Sequence, residues 1–293
     1  MHRLSSLPGG DFSEDISLVE QPTAPVLLLT SAATDLSTLC RCLEQPGTRE
    51  WRGRIRALPL VSLSHPAQID HYLGTTGQHA GLIVVRLLGG RGHWSYGLEQ
   101  VQAWQRAAAG RSLLVLAGTS DQDDLLHPLS SVPTDLCDRL ALLLREGGVD
   151  NMTSVLRACE ELLSGRSPDP ATLSCRRLDD PSPWDWRDET GPRVGVVLYR
   201  AQFRSGDQQL AEALLQSLRQ EGLSPRALWV SSLRDPAVQD GVLRHFRQQR
   251  TDVVITATSF ASVQFEQAGF GAPLWDQLDQ PVLQLLSLSL IHI

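Results

Sequence analysis

Residues 84–97 read VVRLLGGRGHWSYG. The run that leads into them, LIVV at 82–85, is apolar, uninterrupted and rich in β-branched residues, which suits a parallel strand covered on both faces. Arg86 arrives where that strand should end. Gly89 and Gly90 open backbone conformations closed to other residues, and Arg91, His93, Trp94 and Tyr96 follow them. Leu98, Val101 and Trp104 then recur at helical spacing as far as Gly110. A strand followed by a turn and a helix is the unit whose carboxyl-end turn holds ligands in open α/β sheets.

The same logic repeats on both sides of this stretch. Upstream, 26–30 and 55–62 read as strands, with helices from 31–35 to Glu44 and over 66–72. Downstream, 112–117 is a fourth strand, followed by helical patterns over 135–145 and 153–163. From 165 to 192 periodicity disappears and Pro168, Pro170, Pro181, Pro183 and Pro192 mix with acids, the composition of a linker. Trp184 and Trp186 within it are able to dock on either neighbour. A second series begins at 194–199 and continues through a helix at 208–220, a strand at 227–231, a helix at 237–249 and strands at 252–257 and 282–286. The expected fold class is α/β, with two consecutive doubly wound, mostly parallel-sheet lobes joined by a Pro/Asp-rich linker. The divisions are a flexible tail at 1–24, a first domain at 25–164, the linker at 165–192 and a second, truncated domain at 193–287. The cleft between two such lobes is a default place for a ligand. The last six residues, LSLIHI at 288–293, read as a non-native tail translated from a sequencing adapter. The natural chain is therefore expected to continue past Ser287.

Composition removes several function classes. All 26 basic residues are arginine, so a phosphate-loop lysine, a Schiff-base lysine and a lysine general base are excluded from this chain. Anion recognition has to run through guanidinium groups or backbone amides. The net charge of −7, with arginines and acids interspersed, provides no basic face for nucleic acid and no polybasic membrane signal. Cys40, Cys42, Cys137, Cys159 and Cys175 are odd in number and follow no metal-ligand spacing, so reduced thiols are expected. No apolar run reaches the length of a membrane span, and a cytoplasmic protein is expected.

Several candidate residues have two readings, and both stay open here. Gly89, Gly90 and Gly92 are placed to cradle a phosphate at the following helix, yet their spacing matches neither the dinucleotide fingerprint nor the phosphate loop. Arg86 and Arg200 each follow a strand-like run, where a guanidinium suits a ligand with carboxylate or amide arms or, equally, an acidic neighbour. His93, Trp94 and Tyr96 suit either a flat ligand or packing against the helix. His65, His71, His79, His127 and His245 fall at no metal-ligand spacing and receive no role. Asp121, Asp123 and Asp124 resemble half a calcium loop without its glycine and glutamate, so they read as a solvated turn. No nucleophile elbow is present, and no complete catalytic constellation is found.

Six stretches taken together resemble one family: VVRLLGGRGHWSYGLEQ from Val84, REGGVDNM from Arg145, GVVLYRAQFRSGD from Gly195, VSSLRDP from Val230, ITATSF from Ile255 and PVLQLL from Pro281. In this order they are similar to the amino-terminal part of the large subunits of aerobic cobaltochelatase and magnesium chelatase. The resemblance implies a subunit that binds a tetrapyrrole, in the cobalt case hydrogenobyrinic acid a,c-diamide, for ATP-driven cobalt insertion in cobalamin biosynthesis. It implies an AAA-type ATPase subunit and an adaptor subunit as partners, with cobalt and ATP used by the full complex and no cofactor bound by this segment. It also implies an amino-terminal fragment that is inactive alone, with Arg86, Arg91, His93, Trp94, Tyr96 and Arg200 as the candidate substrate-binding residues. Protoporphyrin binding in a magnesium chelatase and a free-standing two-lobe ligand-binding module are the alternatives.

Overall fold

The computed structural model of the chain describes residues 17–258 and 274–285. In chain order these form β1 (Val26–Thr30), α1 (Ala33–Glu44), β2 (Ile55–Pro59), α2 (Pro66–Gly74), β3 (Leu82–Leu87), α3 (Ser95–Arg106) and β4 (Ser112–Ala117). Then come α4 (Asp123–Leu126), α5 (Thr134–Glu146), α6 (Val149–Leu163), β5 (Ser182–Trp184), β6 (Arg193–Tyr199), α7 (Arg200–Ser205) and α8 (Gln209–Gln220). The described chain closes with β7 (Ser224–Val230), α9 (Pro236–Gln249), β8 (Val253–Thr256), α10 (Leu274–Leu278) and β9 (Val282–Gln284).

These elements pack as two compact units that are not consecutive segments. Of the described residues, the first takes those up to Ala32, Glu50–Ala141 and Ala158–Pro170; the second takes Ala33–Arg49, Leu142–Arg157 and those after Pro170. The consecutive division expected from the sequence therefore differs from the packing, because α1 packs on α7 and the junction between α5 and α6 is bonded to Arg176 and Arg204.

In the first unit the sheet order is β2-β1-β3-β4 and every pair is parallel. Ile83, Val85 and Leu87 of β3 lie on one face with Leu27, Leu29, Leu113 and Val115, and that face is covered by Ile69 and Tyr72 of α2 and Trp94, Leu98, Val101 and Trp104 of α3. Strand alternation puts Arg86 on the opposite face, opposite Thr30 in register. Helix α2 starts where it does because Pro66 suits the first turn and His65 caps it: His65 Nδ1 accepts the Ala67 N–H at 3.2 Å, and Gln68 Oε1 accepts the His65 N–H at 3.0 Å. Residues 17–24, expected as part of a loose tail, are tied down. Tyr72 donates to Gln21 Oε1 at 2.8 Å, Thr76 to the Gln21 carbonyl at 3.0 Å and Gln68 to the Ser17 carbonyl at 3.0 Å. The rest of that tail, and the tail at 288–293, lie outside the described residues.

In the second unit the order is β5-β7-β6-β8-β9, parallel except for β5. Alternation splits β6 and β7 between two cores. Val197, Leu228 and Val230 meet Val242 and Phe246 of α9, while Val196, Leu198, Ala227 and Trp229 meet Ala211 and Leu215 of α8. Gly195 is required by this packing, since a Cβ there would fall 2.9 Å from the Phe246 ring. The segment expected to be a linker contributes β5, an edge strand in which Pro183 is tolerated. Both of its tryptophans dock on this sheet: Trp184 lies 5.0 Å from Trp229, and Trp186 donates its indole N–H to the Ala227 carbonyl at 2.7 Å.

Candidate functional site

The opening stretch proves to be mainly architecture. Gly89 and Gly90 have φ of +90° and +79°, the left-handed backbone that the turn requires. Each also admits a side chain against its Cα: the His93 ring would sit 2.5 to 2.7 Å from a Cβ at Gly89, and Gln122 Oε1 2.8 Å from one at Gly90. Trp94 is 7% exposed and donates its indole N–H to the Leu63 carbonyl at 2.8 Å, so it is a core residue. Tyr96 donates to the Asp70 carboxylate at 2.9 Å, and this bond raises the phenol above its ordinary pKa. Arg91 and His93 remain exposed on the turn, while Arg86 is buried at 6% exposure.

One histidine–carboxylate group, Asp123, His127 and Asp138, is close enough to hold a cation among the described residues. Both ring nitrogens are already engaged. Nδ1 faces Asp138 Oδ1 at 2.7 Å, while Nε2 lies 3.3 Å from the Ala117 N–H and 3.2 Å from Asp123 Oδ1. The buried ring ties the end of β4 to α5. Asp123 and Asp124, expected in a solvated turn, open α4.

Arg200 is the first residue of α7, directly after β6. Its Nη1 donates to the Leu178 carbonyl at 3.2 Å and lies 3.5 Å from Asp180, while Nη2 lies 3.9 Å from Glu146. The acidic partner is thus not Asp207, which is nearer in sequence. One turn later, Arg204 donates to Glu146 at 2.8 Å and to the Gly147 carbonyl at 3.2 Å. Burial, and then the adjacent Arg200 cation, push the Arg204 guanidinium below its ordinary pKa.

Arg204, but not Arg200, borders a cavity of about 310 Å³ within the second unit. Its walls are Arg41 of α1, residues 147–151 where α5 passes into α6, Arg176 and Leu178, and Phe203, Arg204 and Gln208. Gly147 and Gly148, at φ +63° and +86°, turn the chain between the two helices. Asn151, 1% exposed, holds one wall in place. Its amide donates to the carbonyls of Gly147 at 2.7 Å and Arg176 at 2.9 Å, and its oxygen accepts the Arg176 N–H at 2.8 Å. Arg176 in turn pairs with Asp150 at 2.5 Å. Arg41 makes no hydrogen bond or ion pair among the described residues, and its guanidinium lies where a Cβ on Gly206 would be.

Arg41, Asn151, Arg176 and Arg204 are not among the candidates expected from the sequence. The usable signal was Gly-Gly ahead of an Asp-Asn pair, which marks the start of a helix. The expected helix begins at 153, whereas α6 begins at Val149.

The comparisons with known proteins agree with one another. The CobN/Magnesium Chelatase family model matches residues 142–291, that is 150 of the 293 residues, and this range includes every wall residue of the cavity except Arg41. The aerobic cobaltochelatase subunit CobN of Sinorhizobium sp is 34% identical over 312 aligned positions, covering 98% of this chain and 24% of its own length. The subunit of the same name from Pseudomonas aeruginosa is 26% identical, covering 89% of this chain and 22% of its own length. The chain thus spans about a quarter of the length of these curated relatives. Among solved structures, the catalytic subunit of cobaltochelatase from Mycobacterium tuberculosis superposes with a TM-score of 0.56 at 22% identity, over 90% of this chain and 21% of that one, and shares the fold. With more than half of its length matched by the family model, the chain belongs to the CobN/magnesium chelatase family.

Proposed function

We propose that this chain is the amino-terminal part of a cobaltochelatase large subunit, which binds hydrogenobyrinic acid a,c-diamide while partner subunits drive cobalt insertion with ATP. The observation that carries the proposal is its similarity, over 98% and 89% of its length, to two aerobic cobaltochelatase subunits. An AAA-type ATPase and an adaptor are the proposed partners, and the metal ion is substrate, not a resident cofactor. A chain without lysine, and hence without a phosphate-loop lysine, is compatible with hydrolysis on a separate subunit. No described helix is long and apolar enough to cross a membrane, and a cytoplasmic location is proposed.

On this reading the contacts to the tetrapyrrole are offered by exposed Arg91 and His93, whereas Arg86 is buried in β3 and Arg200 is paired with Asp180 and Glu146. Trp94 and Tyr96 are occupied by Leu63 and Asp70 and serve to hold the turn. Titrating the complete subunit with hydrogenobyrinic acid a,c-diamide and, separately, with protoporphyrin tests the proposal through their visible absorbance. A saturable change with the corrin alone is expected. A change with the porphyrin alone moves the subunit to magnesium chelation, and no change with either refutes tetrapyrrole binding.

A further inference from the structure

The cavity bounded by Arg41, Arg176 and Arg204 has features that the cobaltochelatase reading does not use. Its walls carry three arginines and one aspartate. Arg176 is matched by Asp150 and Arg204 by Glu146, which leaves Arg41 as a cation with no partner among the described residues. The first turn of α6, a helix of 15 residues, lines the same space and adds the partial positive charge of a helix start. Arg204 closes the inner side of the space: it is 8% exposed and already bonded to Glu146 and to the Gly147 carbonyl.

We infer that this cavity is a binding site for one oxyanion, a carboxylate or phosphate group, held by Arg41 and the first turn of α6 with Arg204 as its floor. The surplus of one cation and a helix terminus fits a single anionic group and argues against a polyanion. At about 310 Å³ the space is at the small end of ligand pockets, so it admits an arm or a small ion and not a macrocycle. A more open hollow of about 460 Å³ shares Asp150 and Arg176 and leaves room for the body of a larger molecule whose acidic arm enters the cavity. Gly206, required by its φ of +80° at the end of α7, also leaves room for Arg41 on the wall.

The test is calorimetric titration of the chain at low ionic strength with inorganic phosphate and with succinate, followed by competition with hydrogenobyrinic acid a,c-diamide. One saturable site is expected, weakened about tenfold in Arg41→Ala, as for the loss of one charge-assisted contact. Arg41 is exposed, so this variant should fold, and Arg176→Ala provides a second from the opposite wall. Competition by the corrin identifies its carboxylate arm as the occupant, whereas phosphate binding without competition identifies a free phosphate. The second outcome counts against the site as part of the substrate pocket while leaving the site itself standing. No saturable binding of phosphate or succinate up to about 10 mM, a level already weaker than any useful affinity, overturns the inference. So does binding that both variants leave unchanged.

Discussion

Replacing Gly97 with alanine should destabilise the chain, although the same change in most helices does the reverse. Gly97 is the third residue of α3, and its φ is in the ordinary range, so the backbone alone favours alanine by about 1 kcal/mol. Packing opposes this. A Cβ at Gly97 would lie within 3.0 Å of Cδ2, Cε2 and Cζ2 of Trp94, nearer than real Cβ atoms come. The indole cannot simply step aside, since it is 7% exposed and its N–H is bonded to the Leu63 carbonyl at 2.8 Å. Overpacking of this kind costs about 1–3 kcal/mol. Stretching or breaking a buried hydrogen bond adds about 1–2 kcal/mol. Set against the propensity gain, the net loss is about 2 kcal/mol, or about 4–8 °C in the melting temperature of a domain this large. Gly74→Ala serves as the control. It ends α2 with nothing within 4 Å of its Cβ, and it should gain up to about 1 kcal/mol. Urea unfolding followed by circular dichroism measures both variants. A Gly97→Ala protein as stable as its parent would refute the view that the turn is built around Trp94.

Asn151→Ala removes three hydrogen bonds and strands the N–H and the carbonyl of Arg176, while the Gly147 carbonyl keeps Arg204, so a loss of about 2–3 kcal/mol and faster proteolysis near Arg176 are expected; a loss below about 0.5 kcal/mol would put the clip in doubt. Burial pushes the Cys137 and Cys159 thiols up to about 11 and about 12, so both should resist alkylation at pH 8 in the folded chain while exposed Cys40 reacts, as peptide mass mapping would report; rapid labelling of Cys159 would contradict its burial.

The strands were the most legible elements. β1, β3 and β4 occupy the expected residues, because short apolar runs bounded by turn residues have few other ways to be buried. Helix starts were less legible. α6 begins four residues before the expected start, since its first turn mixes Asp150 and Asn151 with Val149 and Met152 and gives three of these residues to a cavity wall. The residues 182–184 read as linker, yet they pair with Ala227, Leu228 and Trp229, a partnership 40 or more residues away that no local pattern announces. The cavity was hidden for the same reason. Arg41, Asn151, Arg176 and Arg204 come from four separate stretches, and only the fold brings α1, the α5–α6 junction and α7 to one place.

The two strand-end arginines show why position along the chain is a weak guide to function. Both close a strand-like run, which makes them look equivalent in sequence, yet Arg86 lies within β3 and Arg200 opens α7, and what matters for binding an anion is the charge left over after internal pairing. Arg200 has Asp180 at 3.5 Å and Glu146 at 3.9 Å. At these distances, with an effective dielectric of about 20, each attraction is worth about 4–5 kcal/mol before desolvation is subtracted. A ligand carboxylate would have to compete with two fixed ones for the same guanidinium. Arg41 faces no such competitor, stays solvated until a ligand arrives, and lies against Gly206 at the end of α7. The paired arginines are therefore better understood as scaffolding that shapes the cavity, with Arg41 as the charge available to a ligand. In a chain whose only cations besides histidine are arginines, this division separates those that bind from those that support.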